Sequence, residues 1–171
     1  MMNIDVYKKI FFMKNYIHFY NNLIQLTRNK DLYKRFNSQD EFSDRLILFL
    51  VHLAFFFKIF KKENNSSLLQ DIYDFIFRQL ELSIREIGYG DQSINKKMKE
   101  YLNLFHSLLD KIHFWETLEI NEKIKIFDNF LDKSSNNEYL VDYFSEYSNN
   151  LKNNTLNSYL KSVGKHNYGC T

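Results

Sequence analysis

Side chains able to do chemistry are few in this sequence, and they are scattered. Five histidines and one cysteine occur among 171 residues. His52 sits inside the apolar run from Leu46 to Phe57, where a histidine is more readily a satisfied core residue than a base or a ligand. His18, His106, His113 and His166 have no Cys, Asp or Glu around them at metal-ligand spacing, and Cys170 stands alone beside the C-terminus. HExxH, paired CxxC and GxSxG are absent, and Glu100 has Asn103 where a di-iron bundle would need histidine. Asp71, Asp74, Glu81 and Glu86 offer carboxylates to a neighbouring helix, but no motif assigns them a task. The reading is therefore of a non-enzymatic chain with no catalytic residue, no metal site and no cofactor.

One segment stands out, Ile84-Arg85-Glu86-Ile87-Gly88-Tyr89-Gly90-Asp91, which holds two of the four glycines. It is no phosphate loop, because no strand precedes it and a third glycine is missing. It predicts a tight corner between two helices. Gly88 suits the left-handed position after a helix end, Asp91 or Ser93 can cap the helix that follows, and Gly88 or Gly90 should take a positive φ. Arg45 and Arg85 lie beside apolar stripes and are expected to be partly buried and paired, with Asp44, Glu86 and Asp91 the nearest carboxylates. Lys96, Lys97 and Lys99 follow on the first turns of the next helix. Cations there are disfavoured by the helix dipole, by roughly 0.3–1 kcal/mol each. They read either as an ordinary solvated face or as a patch for an anionic partner. Tyr89, held between glycines, is poorly placed for a core and well placed for contact.

The elements that must position these residues are helices. Proline is absent and glycine is rare, which disfavours a turn-rich β fold. Apolar stripes at three- and four-residue spacing recur. Tyr16, Tyr20, Leu23 and Leu26 mark a first helix; a second, apolar nearly all round, runs from about Ser43 to Lys61 with Ser43 or Asp40 as cap. A third extends from about Leu68 to Ile87, and a fourth from Asp91 or Ser93 to near Trp115. A fifth covers about Asn121 to Asp132, and a sixth carries Leu140, Tyr143, Phe144 and Tyr147. The expectation is an all-α, single-domain bundle of about six helices. Its parts are an aromatic helical segment over 1–30, the main domain over 31–151, and a polar, poorly ordered tail or docking arm over 152–171. Leu46 to Phe57 is too short to cross a bilayer, which takes about 20 residues. A net charge of +2 makes no demand for DNA. The aromatic content, 18%, follows the Lys-, Asn- and Ile-rich composition of an AT-rich genome and is not taken as a stacking surface.

Asp44-Arg45, Leu48, His52 and Lys58, then the Leu80-Glu81 and Ile84-to-Asp91 corner and Lys96…Met98-Lys99, resemble the ubiquinol–cytochrome c chaperone family. That family reads roughly Arg-Phe-Glu-Leu…Leu-His on one helix and Leu-Arg-Glu-Met-Gly-Val-Gly-Asp at the corner. Here Leu46-Ile47 stands for Phe-Glu, Ile84 for Leu and Tyr89 for a small aliphatic residue. The resemblance covers about Asp31 to Trp115 well and extends weakly to about Tyr147. It implies an all-helical assembly chaperone of the cytochrome bc1 complex that binds newly made cytochrome b or another subunit. It also implies contact with the ribosome near its exit and a small partner protein. Arg45, His52, Arg85, Glu86, Gly88, Gly90 and Asp91 would be its motif residues. The client or partner surface expected at this family-like corner is Tyr89 with Lys96, Lys97 and Lys99, from the placement of the ring between glycines and the cationic rim beside it. The compact length without a presequence looks bacterial and cytoplasmic, with peripheral contact at the inner membrane. The alternative is a helical protein that binds a small molecule or lipid in a closed apolar cavity.

Overall fold

The computed structural model describes residues 4–33, 42–61, 65–131 and 137–166. Among these residues there are seven α-helices and no strand: α1 (Ile4–Thr27), α2 (Phe42–Phe60), α3 (Ser66–Glu86), α4 (Asp91–Ile112), α5 (Ile120–Asp128), α6 (Glu138–Lys152) and α7 (Leu156–His166). Single 3₁₀ turns occupy Lys30–Leu32 and Trp115–Thr117. The all-α expectation holds. Asp40, proposed as a cap for α2, lies outside the described residues, as does Cys170, while Ser43 falls within the helix.

Helix α2 is the axis of the bundle. Its run of Leu, Val and Phe has no polar face to turn to water, so it must be covered on most sides. Leu48, Leu50, Leu53, Phe55, Phe56 and Phe60 are fully buried. α1, α4 and α6 lie against it, α5 packs on α6, and α3 reaches α1 and α4. Aromatic rings fill the space. Phe55 stacks on Phe144 at 5.4 Å and meets Trp115 edge-on at 5.0 Å, and Phe127 stacks on Phe144 at 5.6 Å. Offset and edge-on pairs of this kind satisfy the ring quadrupoles.

The tail expectation is corrected. Residues 156–166 form α7, with Leu156, Leu160 and Val163 buried at i, i+4 and i+7. The Ser158 backbone N–H donates to Thr155 Oγ1 at 3.2 Å, capping the start. With Tyr159 the stripe is complete at i, i+3, i+4 and i+7, so the spacing carried the signal and the polar residues around it obscured it. α7 packs on α1, where Tyr159 lies 6.2 Å from Phe19 and 5.8 Å from Phe56. The N-terminal segment is therefore joined to the same core instead of preceding it. Phe19 is buried alongside Tyr16 and Leu23, whereas Tyr20 and Leu26 are half-buried.

Candidate protein-docking surface at the α3–α4 corner

The corner forms as the two glycines require. α3 ends at Glu86, Ile87 keeps helical dihedrals, and Gly88 has φ +99°. That region favours glycine because any Cβ there crowds the backbone. Gly90 is extended at φ −73°, ψ 156°, and is itself the N-cap of α4. Asp91 is thus the first helical residue and not the cap. Its carboxylate lies at the positive end of the helix dipole, which favours it.

Arg85 ties the corner together. Its Nη2 and Nε donate to Glu81 Oε1 at 2.8 and 3.1 Å, and its Nη1 donates to Asp91 Oδ1. One guanidinium thus joins the last turn of α3 to the first of α4, using the fork geometry that lysine lacks. The pairing expected for Arg85 is present, but with Glu81 in place of Glu86. Glu81 stands four residues back on the same helix face, whereas Glu86 is its chain neighbour and points elsewhere. Neither guanidinium is buried in the core: Arg45 is exposed and the Arg85 side chain is 41% exposed, partly covered and paired as expected. Each lies at the edge of its apolar stripe, where a long charged side chain can reach water.

Tyr89 is 41% exposed, and Lys97 Nζ sits 4.7 Å from its ring centroid. The ring forms a ledge with a cation on it, a geometry that favours both partners. Lys96 and Lys99 are exposed, and Lys97 is half-buried. At about 100° per residue the three lysines span some 160° of the α4 circumference. Of the four expected contact residues, Tyr89 and Lys97 are brought together, and Lys96 and Lys99 point progressively away from them.

On the other side of the corner, α3 and α4 bound an open cleft of about 630 Å³. Tyr73, Phe77, Met98 and Leu102 supply its apolar lining, with Asp74, Arg78 and Glu81 on the α3 wall and Asn95 on the α4 wall. Leu82, also on the lining, is 45% exposed, and Ile87 beside it in the corner is 56% exposed. The Tyr73 hydroxyl meets His106 Nε2 at 3.3 Å, bridging the helices away from the corner.

Two polar clusters within the bundle hold these helices in place. His52 is fully buried. Its Nδ1–H donates to the Leu48 carbonyl at 2.7 Å, leaving Nε2 to accept from the Tyr143 hydroxyl at 2.9 Å. Tyr143, Phe144 and Tyr147 stand edge-on around the imidazole. Burial lowers its pKa from 6.5 to about 4, with the Leu48 carbonyl opposing in part, so the ring is neutral near pH 7. The second cluster was not anticipated. Lys58, with a side chain only 5% exposed, pairs with Glu116 of the 3₁₀ turn, and Lys152 at the end of α6 reaches the same carboxylate at 2.8 Å. Burial alone would raise the Glu116 carboxyl, but the hydrogen bonds from Lys152 and Lys58 outweigh it and hold the group at about 2. The available signal was Lys58 itself, a lone charge in the apolar α2 run. Trp115 beside it is 2% exposed and donates to Ser145 Oγ at 3.3 Å.

No group of three or more His, Cys, Asp or Glu among the described residues is arranged to hold a metal ion. Nor is any helix among them long and apolar enough to cross a membrane. Residues 34–112 match the model of the family described as Ubiquinol-cytochrome C chaperone. The match spans α2, the corner and the whole of α4, so the resemblance read from the His52 helix and the Gly-Tyr-Gly corner is borne out. No curated protein matches the chain, and no solved structure does.

Proposed function

We propose that this chain is a non-catalytic assembly chaperone for the cytochrome bc1 complex, binding newly made cytochrome b or a similar membrane-protein client around the α3–α4 corner. The observation that carries the reading is the family match over residues 34–112. The cleft next to the corner supports it, because a protein-binding chaperone needs apolar surface that a client can reach. A carrier of lipid or small molecules would instead enclose its ligand, and this cleft is open to solvent along α3 and α4. The client surface in this reading includes Tyr89, Lys96, Lys97 and Lys99. The rigid ring offers contact area at low entropy cost, and the lysines form a cationic rim suited to ribosomal RNA near the exit or to anionic lipid at the membrane face. A small partner protein completes the set of partners that the resemblance implies.

The test replaces Tyr89 with Ala and Lys96, Lys97 and Lys99 with Gln together. All four are wholly or partly exposed, so the fold should survive, with an unchanged far-ultraviolet dichroism spectrum and melting curve. Capture of cytochrome b and accumulation of assembled bc1 complex should fall. A folded variant with undiminished capture and assembly would move the client surface away from the corner.

A further inference from the structure

Helix α7 is a self-contained unit seated on the bundle. The hydrogen bonds at its start divide between two closed helices. Asn153 and Asn154 close back on α6: their N–H groups donate to the Asn149 and Leu151 carbonyls, and Asn154 Nδ2 donates to the Asn150 carbonyl at 2.9 Å. Thr155 and Ser158 close forward within α7, the Thr155 N–H donating to Ser158 Oγ at 3.0 Å and the Ser158 N–H to Thr155 Oγ1 at 3.2 Å. α6 is thus completed by Asn154, and α7 begins at its own cap. Its stake in the core is one stripe, with Leu156, Leu160 and Val163 buried and Tyr159 half-buried, against six buried side chains on α3. Its 11 residues fall below the roughly 12–15 that sustain a helix alone in water, so α7 is helical because of its seat. That seat is aromatic. Tyr159 lies 6.2 Å from Phe19 of α1 and 5.8 and 5.9 Å from Phe56 and Phe60 of α2, all three fully buried.

We propose that this α1–α2 seat is a site for an amphipathic helix, that α7 covers it as an autoinhibitory contact, and that a client helix of the same spacing takes its place. The inference rests on the reading of the chain as a protein-binding chaperone and adds a client contact outside the α3–α4 corner. The occupant is defined by what already sits there: a short helix with apolar anchors at i, i+3, i+4 and i+7, the pattern of a helix laid into a groove. The attraction comes from ring and aliphatic contact, which has no direction, so a different sequence with the same stripe meets the seat equally well. Exchange of one helix for another keeps Phe19, Phe56 and Phe60 covered, so the core never faces water while α7 is away. The covalent tether at Asn154–Thr155 gives α7 a high effective concentration at its seat. Weak amphipathic segments are thereby kept out, and a client must bind better than a tethered helix.

The experiment uses the full chain, as the parent and as Leu160→Asn, which weakens the stripe of α7. Three labelled peptides are added in trans: residues 153–166 of this chain, an unrelated sequence with leucine at i, i+3, i+4 and i+7, and a scramble of the first. Fluorescence anisotropy should show the first two binding the variant at least about tenfold more tightly than the parent, and the scramble binding neither. Both should also raise the melting temperature of the variant, or restore its helical dichroism if Leu160→Asn alone unfolds it. Hydrogen exchange of the parent should show the α7 amides opening while those of α2 and α4 stay protected. The inference is overturned if the peptides bind parent and variant alike, or bind neither. It is also overturned if only the chain's own sequence binds, which would make α7 a fixed piece of the core, or if α7 and α2 exchange through one common opening. A parent that dimerises with rising concentration through this seat would make the occupant the α7 of a second copy and overturn it as well. No bc1 component enters these measurements, and Tyr89, Lys96, Lys97 and Lys99 are untouched, so failure here and failure of the client assay are distinguishable.

Discussion

His52 makes the stability of this bundle depend on mildly acidic pH. In the folded chain the neutral ring donates from Nδ1 to the Leu48 carbonyl and accepts at Nε2 from Tyr143. Protonation would put a charge at a site walled by Tyr143, Phe144 and Tyr147. The pKa is accordingly lowered from 6.5 to about 4, whereas the unfolded chain exposes the ring to water and returns it to its ordinary value. Between these two values the unfolded state binds the extra proton. Stability is therefore fully present above about pH 6.5 and declines as pH falls toward 4. At about 1.4 kcal/mol per unit, the loss attributable to this residue is about 3 kcal/mol. Set against a total of about 5–15 kcal/mol for a domain, that is a large share. The assay is urea unfolding from pH 7 to pH 4, run on the parent chain and on His52→Gln. Glutamine retains a donor and an acceptor but does not titrate. The variant should start less stable, and its curve should be flatter between pH 6.5 and 4, so that the two converge on acidification. Parallel curves across that window, or a His52 imidazole signal in the folded protein that titrates near 6.5, would refute the reasoning.

Other outcomes follow from the same structure. Gly88→Ala should cost about 1–2 kcal/mol, because its φ of +99° penalises any Cβ although no atom lies within 4 Å of one. Gly90→Ser, at an extended N-cap, should instead add a few tenths of a kcal/mol, and thermal melts giving both changes the same sign would contradict this. Glu116→Gln should cost about 1–3 kcal/mol by leaving the buried Lys58 ammonium without its carboxylate, while Lys58→Met should cost less, since Glu116 keeps Lys152 and partial hydration; denaturant midpoints decide the order. Truncation after Lys152 removes Leu156, Leu160 and Val163 from the core at roughly 1.5–3 kcal/mol each, enough to unfold a marginal domain, and a truncated chain with native dichroism would show that α7 is dispensable.

The helices and the corner were legible in the sequence because both are local. A stripe such as Ile72, Ile76, Leu80 and Ile84 defines a buried face from spacing alone, and all four are buried. Gly88 could be assigned to the turn because only the chain direction and the absence of a Cβ matter there. The polar side of the molecule was not legible in the same way. Arg85 could be expected to find a carboxylate at the corner, but choosing Glu81 over Glu86 depends on which helix face each one occupies. The Lys96, Lys97 and Lys99 cluster is close in the sequence and spread around α4 in space.

What the sequence determined by itself was the fold class, the order of the strongly striped helices and the one sharp turn, since each follows from side-chain periodicity and backbone sterics within a few residues. Tertiary structure alone decided the rest. It brought His52 to Tyr143 across 91 residues and Lys58 to Glu116 across 58. It also seated α7 on α1, and opened a cleft between α3 and α4 with Arg78 on its wall. The hydrophobic effect that collapses the chain is non-directional, so an apolar stripe says that a face is buried without saying against what. Ion pairs, buried hydrogen bonds and clefts depend on the packing partner, and that is set only when the helices are in place.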